Sequence, residues 1–129
     1  MVLEDDAFWT MSHNEATSSV ELAWKQTTAD MSSVDFQRAL THLAKHIGEQ
    51  RATGTLIDVR SFRFAATPEL DTWRREEIIP VYNAAGLKRF AYLLPPGAEY
   101  RPGGSGDADA FATDYFDDEE SARAWLRDG

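Results

Sequence analysis

Residues 56–73 read LIDVRSFRFAATPELDTW, and the two ends of that stretch call for different backbones. Leu56, Ile57 and Val59 form a short apolar run whose only polar member is Asp58, as expected of a strand covered on both faces. Thr67-Pro68-Glu69 is a helix start. The Thr hydroxyl caps free amides, the Pro loses no donor that the first turn needs, and the Glu faces the positive end of the helix dipole. A doubly covered strand feeding a capped helix is the repeating unit of a parallel α/β sheet.

Reading outward gives the rest of that architecture. Upstream, AFWTMSH (7–13) and SVELAWKQ (19–26) read as strands joined by the polar turn NEAT, an N-terminal hairpin in which Val20, Leu22 and Trp24 form the covered face. Ser32 or Ser33 caps a helix running to about Arg51, with Phe36, Leu40, Leu43 and Ile47 on one side and Gly54 in the turn beyond. Downstream, the Thr67 helix carries Leu70, Trp73, Val81 and Ala84 on one stripe and stops near Gly86, and Pro80 kinks or splits it. Glu77 falls inside that stripe. It therefore needs a cation, a solvated cavity, or a change of helical phase at Pro80 that turns it outward. RFAYLL (89–94) is a further buried strand, residues 95–110 a long Gly/Pro-rich loop, and TDYF (113–116) a last strand. Asp117, with Glu120 reciprocating, caps a final helix anchored by Trp125 and Leu126. The expected fold is a single α/β domain over 1–129, ordered β-β-α-β-α-β-loop-β-α, with a mixed, mostly parallel sheet and helices packed on it. Its core should include Val20, Leu22, Trp24, Leu40, Leu43, Leu56, Ile57, Val59, Trp73, Phe90, Tyr92, Phe116 and Trp125.

Composition narrows the function. The 129 residues are 43% hydrophobic and 12% aromatic, enough for one core. A formal net charge of -9 argues against nucleic acid and against anionic membrane surfaces. Cysteine is absent, which removes disulfides and thiolate chemistry and fits a reducing compartment. The opening residues carry acids where a secretory signal needs bases, and no apolar run reaches membrane-spanning length. The expectation is a soluble, cytoplasmic protein. Its partner would be an unidentified protein or a small ligand, and the sequence allows a homodimer.

No catalytic set is visible. His42 and His46 stand four apart on a helix but off its apolar stripe and without the Glu of a His-Glu-x-x-His arrangement, so they read as solvated surface rather than metal ligands. The acids at 117–120 read as helix capping, and Asp58 as a partner for Arg60, Lys88 or a backbone amide. Hence no enzyme activity, metal or cofactor is expected. The candidate site lies beyond the strand ends, where open α/β sheets gather ligands. Arg60, Ser61, Arg63 and Thr67, with Tyr100 and Arg101 of the long loop, would form a cationic, aromatic-rimmed patch for an anion or an acidic partner segment. Phe62 and Phe64 would line a pocket if the ligand is amphipathic. A buried pocket between the broken helix and the sheet favours a small ligand, and a flat patch at the Thr67 helix start favours a protein.

The N-terminal hairpin, LIDVRSF, the Trp-bearing helix, LKRFAYLLP and the terminal YFDDEESARAWL together resemble the SpoIIAA-like proteins, relatives of the STAS domains and of the SEC14 fold. The resemblance implies a non-catalytic regulatory or protein-interaction domain, with a nucleotide-like or lipid-like ligand as the alternative. In the anti-sigma-factor antagonists of that group, a serine at the corresponding helix start is phosphorylated. Its place here falls on Pro68, which cannot carry phosphate, leaving Thr67 and Ser61 as the nearby hydroxyls.

Overall fold

The computed structural model describes residues 1–98 and 110–128. Six strands form one mixed sheet whose spatial order repeats the chain order: β1 (Val2–Asp5), β2 (Trp9–Asn14), β3 (Ser19–Trp24), β4 (Gly54–Asp58), β5 (Arg89–Leu93) and β6 (Ala112–Phe116). The first three are antiparallel and the rest parallel, with Leu22, Ile57, Tyr92 and Tyr115 in register across the middle. The N-terminal hairpin is therefore a three-stranded meander. The sequence reading missed β1, whose few apolar residues run straight into acids.

Alternation fixes the two faces of the sheet. On one, Val20, Leu22 and Trp24 of β3, Ile57 of β4 and Phe90 and Tyr92 of β5 join the main core. On the other, Leu56, Ala91 and Leu93 pack with Ala122 and Leu126 of the C-terminal helix. β4 and β5 are thus covered on both sides, which is why their sequences show no polar face. Of the expected core, Trp73, Phe116 and Trp125 are only partly buried, because each lies at the margin of its cluster.

Helix α1 (Ser33–Gln50) crosses the main-core face. Its N-cap Ser32 accepts from the Asp35 amide, and Asp35 reciprocates to Ser32, closing a capping box. The helix ends on Arg51 in the left-handed conformation, φ 53°. Gly54 is not the turn residue expected: it opens β4, and a Cβ there would lie 2.9 Å from Leu126 Cδ2. The missing side chain makes room for the Leu126 side chain of the last helix.

The Thr67 helix begins as foreseen, with the Thr67 hydroxyl accepting from the Leu70 amide at 3.3 Å. It runs as α2 (Pro68–Trp73), a π-type wide turn (Arg74–Ile78) and α3 (Ile79–Ala84). Pro80 explains the wide turn. Its ring cannot tolerate the carbonyl four residues back, and the Ile79 amide bonds instead to the Arg74 carbonyl five residues back. The extra residue shifts the helical phase. Val81 and Ala84, expected inside, are exposed, and Ile78, Ile79 and Tyr82 are buried in their place. Glu77 is turned out to solvent, and Arg74, four residues after the buried Leu70, is itself nearly buried.

After β6, helix α4 (Glu119–Arg127) is capped by Asp118, one residue later than the sequence suggested, its carboxylate accepting from the Ser121 amide at 2.8 Å. Among the described residues no helix is long and apolar enough to cross a membrane.

Candidate functional site

The residues after β4 do not form an open loop. Phe62 donates its amide to the Val59 carbonyl, closing a turn, and the Arg63 amide donates 2.7 Å to the hydroxyl of Thr28. Thr28 is fully buried and its hydroxyl donates a hydrogen bond to the Lys25 carbonyl, so it ties this segment to the short 3-10 turn after β3. Phe62 and Phe64 then turn inward. Phe62 meets Trp24 with ring centroids 4.9 Å apart, and Phe64 stacks on Phe36 of α1 at 5.5 Å.

These rings wall a cavity of about 530 Å³ between α1, the start of α2 and the C-terminal ends of β3, β4 and β5. Trp24, Phe36, Phe62, Phe64, Phe90 and Tyr92 supply aromatic surface, and Ile57, Val59 and Leu40 aliphatic surface. Arg60, Arg63 and Asp71 stand at its exposed rim, whereas Arg74 reaches it from the wide helical turn and is nearly buried. Position, size and composition match those of small-molecule sites, which sit at strand C-termini, span roughly 300–1,000 Å³ and combine apolar walls with a few polar groups.

The individual candidates fare differently. Arg60 lines the cavity, but its charge is engaged elsewhere. It grips Asp58 through two bonds of 3.0 and 2.8 Å and reaches Glu119 of α4 at 2.7 Å. The hydrogen bonds to Asp58 and then Glu119 hold its guanidinium firmly protonated. In return, Arg60 and Arg123 lower the Glu119 carboxyl below the usual range. Asp58 is thereby the structural partner that its place in the sequence suggested. Arg63 is exposed and forms no ion pair with a described residue. Ser61 is half-buried in the turn, and Thr67 is committed as the cap of α2. Tyr100 and Arg101 lie outside the described residues.

Arg74 was missed because an arginine reads as surface even where helical spacing sets it on the buried side. Its guanidinium lies 3.5 Å from the Tyr92 hydroxyl and 5.6 Å from the centroid of the Phe90 ring. The signal in the sequence was its place four residues after Leu70, on the apolar stripe of the helix.

His42 and His46 are not solvated surface. They face β1, where His42 Nδ1 meets Glu4 Oε1 at 3.1 Å, His46 Nε2 pairs with the other carboxylate oxygen, and Trp9 Nε1 donates to Oε1 at 3.2 Å. Burial works to raise the Glu4 carboxyl, but these hydrogen bonds outweigh it and hold it below the usual range. The correction follows from β1, the strand that the sequence reading missed. Among the described residues no group of three or more His, Asp or Glu is arranged to hold a metal ion.

No family model matches this chain, and neither a curated protein nor a solved structure matches it.

Proposed function

We propose that the protein is a non-catalytic binder of a small amphipathic organic molecule, held in the aromatic cavity at the ends of β3, β4 and β5. The observation that carries this reading is the cavity itself, about 530 Å³ with six aromatic side chains in its wall. Its described lining holds one carboxylate, Asp71, and no His, Ser or Lys, a poor set for acid–base or nucleophilic work and a good one for binding. A regulatory protein-interaction domain is the weaker reading. The patch it needs loses Arg60 to Asp58 and Glu119, and the helix start behind it belongs to a segment of only six residues.

Kinship with the SpoIIAA-like proteins belongs to the same proposal. It is supported by a mixed sheet with α1 and the Pro80-broken helix on one face and α4 on the other. A cytoplasmic, reducing location is supported by the absence of cysteine.

The test uses 8-anilinonaphthalene-1-sulfonate, an anionic aromatic probe, with Trp24 in the cavity wall as a second reporter. Saturable one-to-one binding is expected. Ala66→Trp should abolish it without loss of thermal stability, because Ala66 is exposed at the mouth and a larger ring fills the entrance rather than the core. Binding that is unsaturable, or unchanged by Ala66→Trp, overturns the reading.

A further inference from the structure

The charges at the mouth of the cavity specify the ligand further; this inference rests on the small-molecule reading above. Arg60 is held by Asp58 and Glu119, and Arg74 is engaged in the wall by Tyr92 and the face of Phe90. Both belong to the protein's own packing. Among the charged residues that line the cavity, this leaves Arg63 and Asp71, both exposed at the rim. Neither forms an ion pair with a described residue, and they do not pair with each other. Their backbones are fixed on two different elements. The Arg63 amide donates to buried Thr28 at 2.7 Å, and the Asp71 amide to the Thr67 carbonyl at 3.1 Å in the first turn of α2. A ligand with one charge is drawn by one of these residues and repelled by the other. A ligand with both charges is drawn by both.

The walls are selective too. Trp24 and Phe36 are nearly parallel, 8° apart, and Phe64 lies at 22° to Phe36. Flat faces of this kind suit a planar ring system through offset or edge contacts. A flexible alkyl chain would lose rotamer freedom in the same space.

We propose that the cavity takes a planar aromatic zwitterion of the aromatic amino acid class. Its ring lies inward against the aromatic walls, and its head stays at the mouth with the carboxylate toward Arg63 and the ammonium toward Asp71. Isothermal titration of the full chain at low ionic strength tests this with free tryptophan, 3-indolepropionate, tryptamine and 2-aminodecanoate. These supply the zwitterion, the anion alone, the cation alone and the same head on an alkyl chain. Arg63→Gln and Asp71→Asn should each weaken tryptophan about twofold or more, the scale of an exposed ion pair, and salt should erase the difference. The singly charged ligands should cross over. Asp71→Asn tightens indolepropionate and weakens tryptamine, and Arg63→Gln does the reverse. Tryptophan that is weakened by Arg63→Gln but tightened or unmoved by Asp71→Asn overturns the zwitterion in favour of a simple anion. Tryptophan indifferent to both variants overturns the head placement. Aminodecanoate binding tighter than tryptophan overturns the aromatic class. If none of the four binds while 8-anilinonaphthalene-1-sulfonate does, this proposal falls and the cavity reading stands. If that probe is not bound either, both fall.

Discussion

The Tyr82 hydroxyl is a polar atom in an apolar setting. The ring packs against Phe90 and Phe111 at 5.8 and 6.1 Å, and burial drives the phenol's pKa well above its ordinary value. Among the described residues it meets no acceptor, and a buried donor without one costs roughly 1–3 kcal/mol, so a side chain of the same shape lacking the hydroxyl should be better tolerated. Tyr82→Phe is therefore expected to raise stability by about 1 kcal/mol in the ligand-free protein, a shift of a few degrees in melting temperature by calorimetry. A lowered melting temperature would show that the hydroxyl has an acceptor in solution. Arg74 poses the opposite case. It is a charged side chain brought inside, and a phenol and an aromatic face are among the groups that meet its guanidinium.

Among the elements, those with strong local signals were legible and those defined by distant partners were not. The faces of β3, β4 and β5 followed from alternation or continuity of apolar residues. The start of α1 followed from the pair Ser32-Ser33, of which Ser32 is the cap, and the start of α2 from Thr67-Pro68. Pro80 announced a break, but its form as a wide turn depends on how the freed carbonyls find new donors, so the residues facing inward after it could not be read. Strand β1 is held by pairing to β2 and by Glu4 on α1, contacts 38 and 42 residues apart in the chain, and no local pattern marks it. The candidate site shows the same division. Its place beyond β4 and the roles of Phe62 and Phe64 were readable, whereas the engagement of Arg60 by Glu119 and the entry of Arg74 were not. Gly54 belongs here as well, since its smallness serves a helix 72 residues away from it in sequence, at Leu126. Gly54→Ala should cost about 1–3 kcal/mol through overpacking of α4 on β4. Chemical denaturation of Gly54→Ala, Leu126→Val and the double variant checks this. The two losses should combine to less than their sum, because the shorter side chain gives the new methyl room. Additive losses would mean that the clash is relieved elsewhere.

At the scale of the whole molecule, carboxylates held by cations or imidazoles tie the elements together: Glu4 joins β1 to α1, and Glu119 joins α4 to the turn after β4. The folded-state pKa of Glu4 is depressed, so its contribution is fully present above the ordinary carboxylate value and is lost as pH falls through the depressed one. Urea midpoints measured from pH 6 down to pH 3 should therefore fall more steeply for the native protein than for Glu4→Gln. The difference should be about 1 kcal/mol at pH 6 and should shrink toward the acid end. Parallel curves would mean that Glu4 adds nothing that depends on its charge.

The coincidence of spatial and chain order in the sheet also bears on how the molecule is made. A ribosome delivers the strands in the sequence in which they lie side by side, so each new strand finds its neighbour already waiting at the growing edge and none must be threaded between two others. The faces do not close at the same time. Helix α1 emerges before β4 and can cover its side early. The side bearing Leu56, Ala91 and Leu93 stays bare until α4 has been synthesised. For that interval the nascent chain carries a half-finished sheet with one greasy side turned to water or to whatever chaperone shields it, until Ala122 and Leu126 are seated upon it.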